Sequence, residues 1–282
     1  MKRNIFIIII SSIFSLAAFE WSQTPSKITE SFAENRGDCF NTGVVYENKG
    51  DVSVAEKGTS IINLKEQDSM GWFNSPLGNA VIIVHDNKMM SIYSNLKKDI
   101  TFSESMHFQT GEIIAKSGDS GWQGENTENC GSGFKVIDTK KQTVVNPMIL
   151  IEPDTNKERI QIEGVKAITR RGKVVDLYKG VTISSGQYTL YMQRPQNLMI
   201  QESQVSLNGV VNEMIYYDSL NQNISKLTIR GNRNYSYAEI YPDSKKMRLA
   251  EVLLQKGSNT IEISLSGNNG SKTSIVYRLN VQ

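Results

Sequence analysis

Apolar residues come in short bursts along most of this 282-residue chain, interrupted every few positions by Gly, Asn, Asp or Pro. In "GNAVIIVHDNKMMSIYSNL", residues 78–96, two such bursts at 81–84 and 89–93 flank Asp86, Asn87 and Lys88, which predicts two strands and a tight turn. The same rhythm runs from residue 32 to about 150, where Pro147 and "EPDTN" at 152–156 break it and mark a boundary. Beyond the break, "RIQIEGVKAI", "GQYTLYMQRP", "SQVSLNGV" and "SKLTIRG" are strand-length runs bounded by turn residues. Roughly seven such runs predict an immunoglobulin-like β-sandwich over 151–282. In the last of them, "GSNTIEISLSGNNGSKTSIVYRLNV", alternation places Ile261, Ile263 and Leu265 on one face of a hairpin. The predicted fold class is all-β.

The first residues follow another order: Lys2 and Arg3, an apolar run at 5–14, then Ser15, Leu16, Ala17 and Ala18. That is the pattern of a secretory signal peptide over residues 1–18, with an uncleaved anchor as the alternative. The run is short of the about 20 residues that a membrane span needs. Residues 19–30 are polar and predict a linker. The expected location is the periplasm or cell envelope. A formal charge of +2 gives no reason to expect a nucleic-acid partner. The two cysteines, Cys39 and Cys130, are compatible in an exported chain with one disulfide or with two separate thiols.

Three stretches together resemble the LytM/lysostaphin-type zinc endopeptidases of peptidase family M23, which cut peptide cross-links in peptidoglycan. "SFAENRGDCFNTGVV", residues 31–45, resembles the approach to the family's H-x-x-x-D zinc motif. Residues 78–96 resemble its G-N-x-V-x-I-x-H strand and the following Y-x-H-L segment. Between 110 and 149, "TGEIIAKSGDSGW" resembles its glycine turn, "GSGFKV" stands where the family has H-x-H-F-E-V, and "VVNPMILI" resembles its closing V-N-P segment. The resemblance covers residues 31–150 in the right order and implies an antiparallel groove domain.

Position by position, the resemblance puts the zinc ligands at Asn41, Val45 and Gly133 and the two assisting histidines at Asn95 and Gly131. A one-residue ambiguity would move the first motif onto Phe40 and Val44, which are not ligands either. A catalytic zinc takes about three N, O or S protein ligands plus an open position, and Val and Gly side chains offer none. No cofactor is therefore expected. The resemblance also brings Cys39 and Cys130 to flank the same lost site, which favours a bridge; closing a loop of about 90 residues, it would contribute about 4 kcal/mol in the chain-entropy model.

Other chemistry is weaker. His85 and His107 are the only histidines, one expected in a structural role and one at the surface. "SGDSG" at 117–121, "RGD" at 36–38 and "TRRGK" at 169–173 are expected to be turns rather than a nucleophile, an adhesion motif or a nucleic-acid patch. Trp72, Tyr93 and Trp122 would border the groove and, with Asn41 and Asn95, are the candidate binding residues. "LKEQDSMGWFNSP", residues 64–76, would cover the cleft if it folds over it. The resemblance implies a non-catalytic member of the family that regulates or scaffolds cell-wall hydrolysis, with a hydrolase or another envelope protein as partner. The alternatives are a peptidoglycan-binding module without turnover and an active metallopeptidase with displaced ligands.

Overall fold

A computed structural model describes residues 19–20, 27–47, 50–65, 75–97, 106–121, 131–151, 160–195, 200–223 and 226–282. The signal segment, most of the linker, the boundary stretch at 152–156, Trp72, Trp122, Cys130 and most of 64–76 lie outside them. No helix among the described residues is long and apolar enough to cross a membrane.

The chain is all-β, as its pattern predicts. The first half contains β1 (Ile28–Glu30), β2 (Asn35–Arg36), β3 (Cys39–Phe40), β4 (Val44–Tyr46), β5 (Asp51–Ser53) and β6 (Gly58–Leu64). It continues with β7 (Asn79–Val84), β8 (Met89–Leu96), β9 (His107–Phe108), β10 (Ile113–Lys116), β11 (Gly133–Asp138) and β12 (Thr143–Val145). The second half contains β13 (Lys166–Thr169), β14 (Val174–Asp176), β15 (Thr182–Ile183), β16 (Gly186–Gln193), β17 (Ile200–Leu207) and β18 (Val210–Asn223). It ends with β19 (Lys226–Arg230), β20 (Asn234–Ser236), the one-turn helix α1 (Tyr237–Ile240), β21 (Lys246–Leu254), β22 (Gly257–Gly267) and β23 (Lys272–Val281).

The predicted hairpins form where local chemistry demands them. β7 and β8 pair antiparallel around the turn at 86–88, where Lys88 takes the left-handed φ of 67°. In β22, Ile261, Ile263 and Leu265 are fully buried, and the intervening residues face away. Asn208 and Gly209, with φ of 53° and 81°, close the β17–β18 hairpin as a two-residue turn whose positive φ values match strand twist.

One feature differs from two β units joined by a boundary. A single sheet runs β15-β23-β22-β17-β18-β12-β11-β8-β7-β6-β9, and β14-β13-β16-β21 form a second sheet. The join is β18, long enough at 14 residues to serve several partners. β19 occupies one of its edges; on the other, β17 takes the part up to Tyr216 and β12 takes Ser219, Leu220 and Asn221. Asn146 reinforces the seam, donating from Nδ2 to the Tyr217 carbonyl at 2.9 Å and from its backbone to Asp218 at 2.8 Å.

Aromatic contacts make a second seam. Phe40 meets Tyr237 and Tyr241 edge-on at 5.5 and 6.1 Å, and the Tyr241 hydroxyl donates to the Ala33 carbonyl at 3.1 Å. The β2–β3 hairpin is thereby held against α1. Its tip is the Arg-Gly-Asp stretch, but Arg36 pairs with Glu30 at 3.4 Å and the Gly37 carbonyl faces the Tyr237 hydroxyl. Those contacts fit the structural reading of that tripeptide.

Candidate functional site

The candidate site is a face of the sheet where β4, β11 and β8 run side by side. Val45 of β4 is the cross-strand partner of Gly133 of β11, and Gly133 is in turn opposite Ser94 of β8. Two of the three positions that the resemblance assigns to zinc ligands thus sit directly opposite one another. The two positions assigned to assisting histidines also meet: Asn95, which ends β8 with φ of 55°, donates from Nδ2 to the Gly131 carbonyl at 3.2 Å.

The register removes the one-residue ambiguity. Val44 and Phe40 are 1% and 3% exposed and belong to the hydrophobic core, whereas Val45 is buried but points away from that core. Alternation along a strand requires this, since neighbouring side chains take opposite faces. Asn41 is bound into the preceding turn instead, its Nδ2 donating to the Ser31 carbonyl at 2.9 Å.

These surroundings correct part of the binding assignment. Asn41 and Asn95 are 4% and 5% exposed, so their amides serve internal hydrogen bonds rather than an open groove. Tyr93 is wholly buried, stacked at a tilt on Phe134 with ring centroids 5.2 Å apart. Its hydroxyl accepts the Ala55 N–H at 2.8 Å, and burial pushes its pKa up to about 12. Tyr93→Phe is expected to cost about 1–3 kcal/mol, because the buried Ala55 donor loses its acceptor. A shift of the urea midpoint checks this; an unchanged midpoint would return Tyr93 to the surface.

The disulfide expectation is also corrected. Cys39 is a free, exposed thiol, turned toward the Arg36 carbonyl at 3.3 Å within the β2–β3 hairpin. The tight hairpin directs the thiol outward, so no bridge to Cys130 is made from it.

The other small motifs have structural roles. His85 is buried, with Nδ1 2.9 Å from the Lys57 carbonyl and Nε2 2.8 Å from Ser91 Oγ, so Nδ1–H donates and Nε2 accepts. His107 lies exposed on β9, as expected. In "SGDSG", Ser120 Oγ donates to the Leu96 carbonyl at 2.6 Å and accepts the Asn79 N–H at 2.9 Å. Gly78 and Gly121 meet so closely that a Cβ on Gly78 would come within 2.3 Å of the Gly121 nitrogen. This segment clamps the end of β8, which explains its small residues.

Two charged residues of the face are missing from the sequence-based candidates. Lys135 lies two residues beyond Gly133 on the same side of β11, opposite Ile92 of β8. Burial, and then the Arg36 guanidinium, hold its pKa below the usual lysine value. The available signal was the Lys in "GSGFKV" where H-x-H-F-E-V carries a glutamate. Arg36 had been grouped with a turn motif, and only packing brings it near Lys135. Among the described residues, no three of His, Cys, Asp and Glu group closely enough to hold a metal ion.

Comparisons with known proteins cover parts of the chain. A protein-family model matches residues 159–282. An uncharacterized protein of Treponema pallidum (strain Nichols) is 24% identical over 123 residues, covering 40% of this chain and 84% of that protein. Among solved structures, the catalytic domain of the prophage-encoded M23 protein EnpA from Enterococcus faecalis is similar at 20% identity and a TM-score of 0.36. That likeness covers 46% of this chain and 95% of the other. A zinc-containing peptidase from Vibrio cholerae is similar at 19% identity and a TM-score of 0.36, over 46% of this chain and 39% of the other. A chain of the SpoIIIAH–SpoIIQ complex is similar at 17% identity and a TM-score of 0.34, over 44% of this chain and 90% of the other.

Proposed function

We propose that this chain is a non-catalytic LytM-type protein of the cell envelope that regulates or scaffolds cell-wall hydrolysis. One observation carries the reading. Val45 with Gly133, and Asn95 with Gly131, meet as pairs in the fold, yet their side chains supply no zinc ligand and no histidine. An enzyme that activates water on zinc needs about three such donors converging on one point. The glycines and turns that shape the face are kept, which supports a role for the shape itself. The face and the sheet continuing through β12 and β18 together offer a rigid surface to a hydrolase or another envelope protein.

The test is incubation of the purified protein with isolated bacterial sacculi in zinc-supplemented buffer. The expected outcome is no released wall fragments from the protein alone, with a changed release rate when a cell-wall amidase or endopeptidase is added. Release by the protein alone would sink the proposal and revive a metallopeptidase with displaced ligands. Pelleting with sacculi, without effect on any hydrolase, would favour the wall-binding module.

A further inference from the structure

Lys135 is a partly buried amine with no hydrogen bond or ion pair among the described residues. It stands on the sheet face that carries Gly133. Its neighbours explain why that is unusual. Ile92 lies directly opposite on β8, and Val45 faces the adjoining Gly133 from β4; both are buried and neither belongs to the main core. Gly43 crosses the same side of β11 so closely that a Cβ on it would come within 3.2 Å of Lys135 Cβ. The nearby charges are Arg36 and Glu30, and these two pair with each other at 3.4 Å. That pair is close to neutral, so the cluster carries one unmatched positive charge, on Lys135.

A cation held in aliphatic surroundings loses hydration without gaining a counter-charge, and it is stabilised by whichever anion can reach it. The low local dielectric that makes the lone amine costly also strengthens such a pairing. A single charge calls for a monoanion, and the flanking isoleucine and valine suit one attached to a small aliphatic body. We infer that Lys135, with Arg36 beside it, forms a carboxylate subsite that receives the free C-terminus of a short wall peptide. The choice of a peptide rests on the proposed wall-directed function; the anionic chemistry rests on the cluster alone.

The test uses the full chain and D-alanyl-D-alanine as the free acid and as its C-terminal amide, followed by amide shifts of Gly133 and Lys135. The free acid is expected to bind at least tenfold more tightly than the amide. K135M is expected to abolish that preference and K135R to keep it. Because methionine replaces an unpaired amine with an apolar chain of similar length, K135M should melt at or above the wild-type temperature, so lost binding will not reflect unfolding. Equal binding of acid and amide, or unchanged binding by K135M, overturns the inference. So does acetate competing as well as the peptide acid, which would mark a general anion site. If the acid fails to bind while the hydrolase effect on sacculi persists, the subsite is wrong and the proposed function stands. Loss of a hydrolase interaction in K135M without any peptide binding would assign the amine to an acidic protein surface instead, again overturning the peptide subsite.

Discussion

The combined substitutions Asn41→His, Val45→Asp, Gly133→His and Ser94→Ala are expected to create a zinc site holding close to one metal per chain. The wild type, washed in the same buffer, is expected to retain none in stoichiometric amount. The argument starts at the register: Val45 and Gly133 are opposite one another across β4 and β11. Antiparallel partners have Cα atoms about 4.5–5.5 Å apart and side chains on one face. An Asp and a His there can converge on a zinc at their usual bond lengths of about 2.0–2.2 Å. A Cβ on Gly133 would lie 2.5 Å from Ser94 Oγ, and the change at Ser94 removes that clash. Position 41 supplies the third ligand if its side chain leaves Ser31.

Without metal the variant is expected to be less stable than the wild type, because Val45→Asp buries a carboxylate where a valine is 5% exposed. Zinc should restore part of that loss by binding only the folded state. Metal analysis after dialysis and a thermal melt with and without zinc measure both effects. A variant that folds but holds no zinc at micromolar concentration would show that these positions do not correspond to a metal site.

Leu220→Ala is expected to destabilise the whole chain by about 2–5 kcal/mol, the usual cost of truncating a fully buried leucine. Leu220 is 0% exposed, pairs with Val144 on one edge of β18 and with Ile229 on the other, and so stands where the two halves share a strand. Because the core runs through both halves, its loss should lower both together in one urea transition. Hydrogen exchange supplies the sharper readout: amides of β7 and β8 should lose protection in step with those of β17 and β22. Loss confined to the second half would mean that the continuous sheet does not couple them.

The two experiments probe different kinds of information. The zinc variant tests identities legible in the linear sequence, since the five positions were located by resemblance before any pairing was known. The leucine variant tests a contact with no local signal: Thr143 meets Asn221 and Val145 meets Ser219 only after the intervening chain has folded.

By itself the sequence determined the strand content, the hairpin at 78–96, the buried stripe of Ile261, Ile263 and Leu265, and the absence of ligand side chains at positions 41, 45 and 133. Each of these depends on residue type or on a repeat of two, which neighbours along the chain impose. Tertiary structure alone decided that Val45 rather than Val44 faces Gly133, that Tyr93 is committed to the Ala55 N–H, that Cys39 is a free thiol, and that Lys135 is left unmatched beside Arg36. The physical reason is the same throughout: which face a side chain takes is local, but what it meets there depends on strands brought in from far along the chain.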